Sequence, residues 1–501
     1  MELLSPAGNV DKLRYCYSYG ADAAYIGLKN FSLRVKADNF YQDEYERVAA
    51  LKKQFPGKRL HCALNISFHN DEIDRLIQNL SYFKLYPIDA FIVQDLGIVP
   101  ILQKEFPNAE LHLSTQASCM NREAVKMYKS LGFKRVVMGR EASLKEIAEI
   151  KDAVPDMEIE CFVHGAMCIA YAGRCLMSAY LNGRSAQEGF CSHTCRWDYD
   201  VLVDRKEIPG SFERSDYPYS EDSRRIAESG AMVLREHKRP DEYFPVYEGE
   251  NFTAVLSSKD LCMIDHLAEF KKAGVDSLKI EGRMKSIYYV AQITRAYRKA
   301  LDALDGKLTA EEAQPFIDEL YNVSHRPYGT GFYFGRTEAD KTVSGASDSP
   351  WELAAEVNEK VSSERQSEVL KRGSDMKAKR KSEYDSLCTE AQRAYDKRVQ
   401  DKPDMYLPLV EEKPGWKMYN LAALNMIKAD TELEIVTPNI VSQKLDHRDF
   451  ELVNPDTGEV YNWVCDGHHC VLYTPLELEN GTLLRSKDSE YEEGKFRDTG
   501  R

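Results

Sequence analysis

Residues 1–300 carry an alternation that leaves few folds open. Eight short apolar runs, at 3–4, 23–28, 60–66, 90–94, 111–114, 135–138, 159–163 and 277–280, are mostly separated by amphipathic stretches such as 43–54 and 143–152. Short apolar runs read as buried strands, and stretches with helical spacing of apolar residues read as helices packed over them. Eight such repeats predict an α/β fold, a (β/α)8 barrel, with an open doubly wound sheet as the alternative.

In a barrel of this kind the chemistry collects where the strands end. At those positions stand Ser5 to Asn9, Lys29 to Arg34, Asn65, Gln94 and Asp95, Ser114 to Gln116, Gly139 and Arg140, His164 to Cys168, and Glu281 to Arg283. Amides, hydroxyls and arginines at one face suit an anionic substrate, although strand ends are also polar simply because they meet water. Arg140 and Arg283 are candidates to grip carboxylates through paired hydrogen bonds. By strand alternation Lys279, Glu281 and Arg283 share one face while Ile280 takes the other. His164 is read as an acid–base group, as a group orienting a metal centre, or as a structural histidine.

Directly after the seventh run come four cysteines, Cys168, Cys175, Cys191 and Cys195, in the pattern C-x6-C-x15-C-x3-C. Four thiols within 28 residues point to a soft-metal or iron–sulfur site. Structural zinc sites usually carry two short C-x2–4-C knuckles, and only Cys191–Cys195 resembles one, so the spacing favours a 4Fe–4S cluster over zinc. Cys161, inside the strand, and Cys262, on an expected helix capped by Ser257 or Ser258, read as core. Cys465 and Cys470, with His468 and His469 between them, read as incidental. The glycines at 329, 331 and 335 miss the dinucleotide fingerprint, and no HExxH, GxSxG or Walker A pattern occurs.

The domain reading is a catalytic domain at 1–340, with the cysteine segment at 160–197 and a polar, lid-like insertion at 198–251. A small β-barrel-like domain follows at 351–487, interrupted by a charged helical insertion at 359–402, and the tail at 488–501 is expected to be disordered. The basic run 377–381 reads as a solvated helix face. No apolar run reaches 18 residues and the N-terminus lacks a signal-peptide pattern, so a cytoplasmic protein with no membrane partner is expected, its twelve cysteines free or ligating. A net charge of −14 argues against a chain that merely coats nucleic acid, without excluding a local RNA-binding face.

The stretch ECFVHGAMCIAYAGRCLMSAYLNGRS resembles the signature of the collagenase-like peptidase family, and MELLSPAGN, GADAAYIGL, LHLSTQAS and SLKIEGRMKSIYYVA resemble its other blocks. The pairing of HGAMCIAYAGRC with GFCSHTCRWDY is most similar to the branch of prephenate-dependent tRNA uridine 5-hydroxylases. The resemblance implies a (β/α)8-like domain and an iron–sulfur cluster held by Cys168, Cys175, Cys191 and Cys195. It also implies 5-hydroxylation of the wobble uridine of tRNA, with prephenate as co-substrate and source of the hydroxyl. The CSHTC motif separates the chain from relatives that hydroxylate quinone precursors. Peptidase activity, hydroxylation of ribosomal RNA or of a quinone precursor, and a zinc-stabilised RNA-binding protein are the rival readings. The charged insertion at 359–402 departs from the family pattern.

Overall fold

The computed structural model describes residues 1–168 apart from 30, 33–38 and 42, then residues 258–335, 349–401 and 407–487. Between these blocks it describes 173–175, Ser178, Cys191, Cys195 and the backbone of short strands from Leu202 to Ala254. The chain divides into two compact units, Met1–Asp348 and Ser349–Glu493.

The first unit is a closed barrel of eight parallel strands: β1 (Glu2–Pro6), β2 (Ala23–Ile26), β3 (Arg59–Leu64), β4 (Ala90–Val93), β5 (Glu110–Leu113), β6 (Arg135–Val137), β7 (Glu158–Ala166) and β8 (Ser277–Ile280). β8 pairs with β1 on one side, Ser277 opposite Glu2, and with β7 on the other, Ser277 opposite Glu160. That double pairing closes the sheet and rules out the open alternative. Each of the eight apolar runs in the sequence is one of these strands.

The helices around it are α1 (Val10–Ser18), α2 (Glu44–Gln54), α3 (Asn70–Phe83), α4 (Val99–Glu105), α5 (Arg122–Ser130), α6 (Leu144–Ala153), α7 (Leu267–Lys272), α8 (Ile287–Leu304) and α9 (Ala310–Asp318). Several start on a side chain that satisfies an otherwise orphaned backbone N–H. Asn9 accepts from Lys12 N, Asn121 from Ala124 N and Ser286 from Tyr289 N, and Ser143 forms a capping box with Glu146. The helix α8 is mostly buried, and its Thr294 hydroxyl bonds Ser5 on β1 at 2.9 Å.

The segment after residue 257 differs from its sequence reading. Asp260–Cys262 is a short strand, antiparallel to β7 and parallel to Tyr328–Gly329, and the helix starts only at Leu267, with no side-chain cap. Asp260 fixes the strand: its carboxylate accepts from the Arg326 guanidinium at 2.6 Å and from the Arg326 backbone at 3.1 Å. Ser258 caps nothing; its hydroxyl donates to the Met167 carbonyl at 3.3 Å. Cys262 is therefore a half-buried strand residue rather than a helical one. In the insertion, the backbone pairs Leu202–Asp204 with Phe212–Arg214, Val233–Arg235 with Tyr243–Pro245, and Tyr247–Glu248 with Thr253–Ala254. A lid role, and the character of the 488–501 tail, lie outside the described residues.

The second unit is an antiparallel half-barrel sheet. Its strands are β9 (Trp351–Lys360), β10 (Lys417–Ala423), β11 (Leu433–Val436), β12 (Gln443–Leu445), β13 (Glu451–Val453), β14 (Cys470–Thr474) and β15 (Leu483–Lys487), in the order β12-β11-β15-β9-β10-β14-β13. A larger apolar cluster gathers Ala354, Val357, Leu421 and Leu472, and a smaller one Met418, Val453 and Tyr473. The charged insertion forms α10 (Ser363–Asp385) and α11 (Thr389–Asp401); α10 buries Val369 in the smaller cluster, and α11 buries no residue. Among the described residues no helix is long and apolar enough to cross a membrane.

Candidate active site at the barrel mouth

The barrel interior is charged where most such interiors are aliphatic. Arg135 on β6 is buried and bonds Glu2 at 2.5 Å, Glu158 at 2.9 Å and Glu160 at 2.9 Å. Glu160 is fully buried, and its second oxygen accepts from Lys279 Nζ at 2.7 Å. Burial pushes the Glu160 carboxyl pKa up, but the Lys279 and Arg135 charges outweigh it and hold the group at about 2. Lys279 is thus tied to Glu160 beneath the strand ends.

Above that clamp lies a cavity of about 60 Å³, bounded by the C-terminal ends of the strands. Its polar wall includes Asn65, Ser114, Thr115 and Gln116, and its charges are Arg140, Lys279, Glu281 and Arg283. All three residues assigned to one face of the last strand and its end, together with Arg140, meet there. The Arg140 guanidinium lies 3.7 Å from the Phe162 ring centroid and 3.5 Å from the Glu281 carboxylate. Its Nε is buried without a hydrogen-bond partner among the described residues. Arg283 is 3% exposed, and its Nη2 donates to the Ser32 hydroxyl.

The Arg283 side chain passes so close over Gly27 that a Cβ there would sit 1.9 Å from its Nη1. Any larger residue at 27 displaces the guanidinium, which gives the glycine of GADAAYIGL a physical reason. Counting Glu160, three cations meet two carboxylates, a balance that favours an anionic guest.

His164 is elsewhere. It is buried, with its ring among Tyr289, Tyr297 and Tyr328; Nε2 lies 3.3 Å from the Tyr328 hydroxyl and Nδ1 3.5 Å from that of Tyr297. Burial pulls its pKa down to about 3, so the ring is neutral at ordinary pH. It does not line the cavity.

All twelve cysteines are free thiols. Burial pushes the thiols of Cys62 and Cys470 up to about 12 and those of Cys119 and Cys262 to about 11, and raises those of Cys16 and Cys161 as well. Cys168 is exposed, two residues beyond β7, and Cys175, Cys191 and Cys195 are half-buried. As a donor set of accessible thiols following one strand end, these four fit a thiolate-held metal or iron–sulfur group better than the six whose thiol pKa values desolvation raises. One residue between the first two of these cysteines, Gly173, packs so tightly on Gln116 that a Cβ would sit 2.0 Å from the Gln116 carbonyl oxygen. Cys465 lies 3.5 Å from His468 Nδ1, while His469 bonds Asp456 instead.

Two further polar residues in the barrel, His61 on β3 and His112 on β5, have no counterpart in the sequence reading. Both are fully buried, and burial lowers both pKa values. Their signal was present as a polar residue at inward positions of apolar runs, in RLHCAL and ELHL.

A model of Peptidase family U32 matches residues 8–343. The chain belongs to that family. The U32 match takes in the whole cavity wall and all four clustered cysteines. Among curated U32 relatives, the tRNA hydroxylation protein P of Escherichia coli (strain K12) is 39% identical over 349 residues, 68% of this chain and 76% of its own. The tRNA hydroxylation protein P1 of Bacillus subtilis (strain 168) is 37% identical over 345 residues, 69% of this chain and 73% of its own. A 23S rRNA 5-hydroxycytidine synthase of Escherichia coli (strain K12) is 33% identical over 368 residues, 72% of this chain and 49% of its own.

Proposed function

We propose that this U32 protein is a tRNA hydroxylase that places a hydroxyl group on C5 of the wobble uridine, with prephenate as co-substrate. The observation that carries the reading is the cation-rich cavity at the barrel mouth, in a chain whose relatives are named for tRNA hydroxylation. A volume of about 60 Å³ is well below the roughly 150 Å³ that accepts a benzene ring. The enclosed space therefore suits a carboxylate head, with the base approaching at the mouth.

Arg140 and Arg283 bind and orient the carboxylates of the small substrate by charge-assisted hydrogen bonds. Lys279, held by Glu160, adds a fixed positive charge at the cavity floor, and Glu281 sets the Arg140 guanidinium against the Phe162 ring. Asn65, Ser114 and Gln116 offer hydroxyl and amide groups for the remaining polar atoms. Cys168, Cys175, Cys191 and Cys195 would hold a 4Fe–4S cluster, which when bound would supply one-electron redox chemistry.

Anaerobic purification followed by a visible spectrum and metal analysis tests the cluster. Brown protein with about four irons per chain, lost in Cys191→Ala, supports it. Colourless protein with about one zinc that is lost in Cys191→Ala supports the zinc-stabilised RNA-binding reading instead. The rRNA-modifying relative favours a second substrate reading, so nucleosides of both tRNA and rRNA are to be measured. No histidine or cysteine is found among the described residues lining the cavity, so no Ser–His or Cys–His pair supports the peptidase reading there.

A further inference from the structure

We infer that the barrel interior binds a divalent metal ion on His61, His112 and Glu160, separate from the four clustered cysteines. The three residues come from β3, β5 and β7, the alternate strands whose inward side chains form one layer of such a barrel. All three are fully buried, and one donor atom from each lies within 4.8 Å of the others. Donors about 2.0–2.1 Å from a tetrahedral zinc stand about 3.4 Å apart, so modest ring rotations complete the set.

The hydrogen bonding points to a ligand as well. Among the described residues, neither nitrogen of the buried His61 ring has a hydrogen-bond partner, and neither does His112 Nδ1. A neutral imidazole carries one donor and one acceptor, and leaving these unmet in a dry interior is unfavourable. Meanwhile His112 Nε2 lies 3.2 Å from the Glu110 carboxylate. A carboxylate on one imidazole nitrogen, with the other nitrogen left open, is the arrangement that orients metal-bound histidines.

Two imidazoles and one carboxylate form a recognised zinc set. Glu160 already accepts from Lys279 and Arg135, but a carboxylate offers about four lone-pair sites and can take a metal beside them. The ion would brace the Glu160–Lys279 pair under the cavity. This inference does not depend on the RNA substrate.

The probe is Co²⁺ added to full-length, anaerobically purified protein. One Co²⁺ per chain should give visible d–d bands without thiolate-to-cobalt charge transfer. The bands should vanish in His61→Gln and His112→Gln and persist in Cys191→Ala. Should either histidine variant fail to fold, Glu110→Gln keeps all three ligands and should weaken Co²⁺ binding by about 10–100-fold. Absence of stoichiometric binding, unchanged bands in folded His61→Gln, unchanged affinity in Glu110→Gln, or bands that carry thiolate character and disappear in Cys191→Ala would each overturn the site.

Discussion

The two units of this protein fill their interiors in opposite ways. The barrel threads Arg135, Glu160 and Lys279 through its centre, with Glu2 and Glu158 on the same guanidinium and the His61 and His112 rings alongside. The half-barrel sheet packs apolar side chains, Ala354, Leu421 and Leu472 among them, and its buried Arg485 pairs with Glu434 and lies 4.3 Å from the Trp351 ring centroid. A buried ion network stabilises no better than well-packed hydrocarbon of the same volume. In the barrel that network holds Lys279, through Glu160, at the wall of the cavity. The barrel thus buries a network of several charges around its cavity, whereas the described interior of the sheet buries one such arginine among apolar side chains.

The sharpest way to break that contrast is Glu160→Gln, which takes the carboxylate from buried Lys279 and one of three from Arg135, and should cost about 3–5 kcal/mol in denaturant unfolding of the barrel. Replacing the pair together, Glu160→Leu with Lys279→Met, should recover most of that stability while abolishing activity. A double variant that stays active would show that the clamp serves stability alone. In the other unit, Leu472→Ala removes a fully buried side chain and should cost about 2–5 kcal/mol through lost contacts and a cavity, with the modification activity unchanged.

A smaller effect comes from pH. His164 has a folded pKa of about 3 against an unfolded value near 6.5, so below pH 6.5 the unfolded chain takes up a proton that the folded chain refuses. Stability should therefore be flat above pH 6.5 on this account and fall by up to about 1.4 kcal/mol per pH unit as pH drops toward 3. Unfolding of His164→Gln measured between pH 6.5 and 4 should show a shallower slope by up to one proton, with His61 and His112 supplying slope of the same sign. The smallest change is Lys377→Ala on α10, whose exposed ion pair with Glu411 should leave the unfolding midpoint unmoved.

The strands were legible because each is a short apolar run set off by helical spacing, and closing such repeats into a barrel carries Arg140 and Glu281 to one mouth although 141 residues separate them. The stretch around Asp260 was not legible. Leu261, Ile264, Leu267 and Phe270 happen to fall at helical spacing, while the strand is set by an ion pair to Arg326, 66 residues away. His164 stands at a strand end like the cavity residues, yet its ring lies among three tyrosines, a distinction that depends on how α8 packs. The inward histidines were hidden for a related reason: a single polar residue in an apolar run shows its meaning only once the strands close and bring His61 within 4.8 Å of His112, ring centre to ring centre.

The most direct test of the central claim is nucleoside analysis of tRNA from a strain lacking this protein, complemented with wild type or with Arg283→Met. A 5-hydroxyuridine-derived nucleoside that disappears in the deletion, returns with wild type and stays absent with a folded Arg283→Met protein is the predicted result. Unchanged levels in the deletion strain, or full restoration by Arg283→Met, would contradict a hydroxylation site at the barrel mouth.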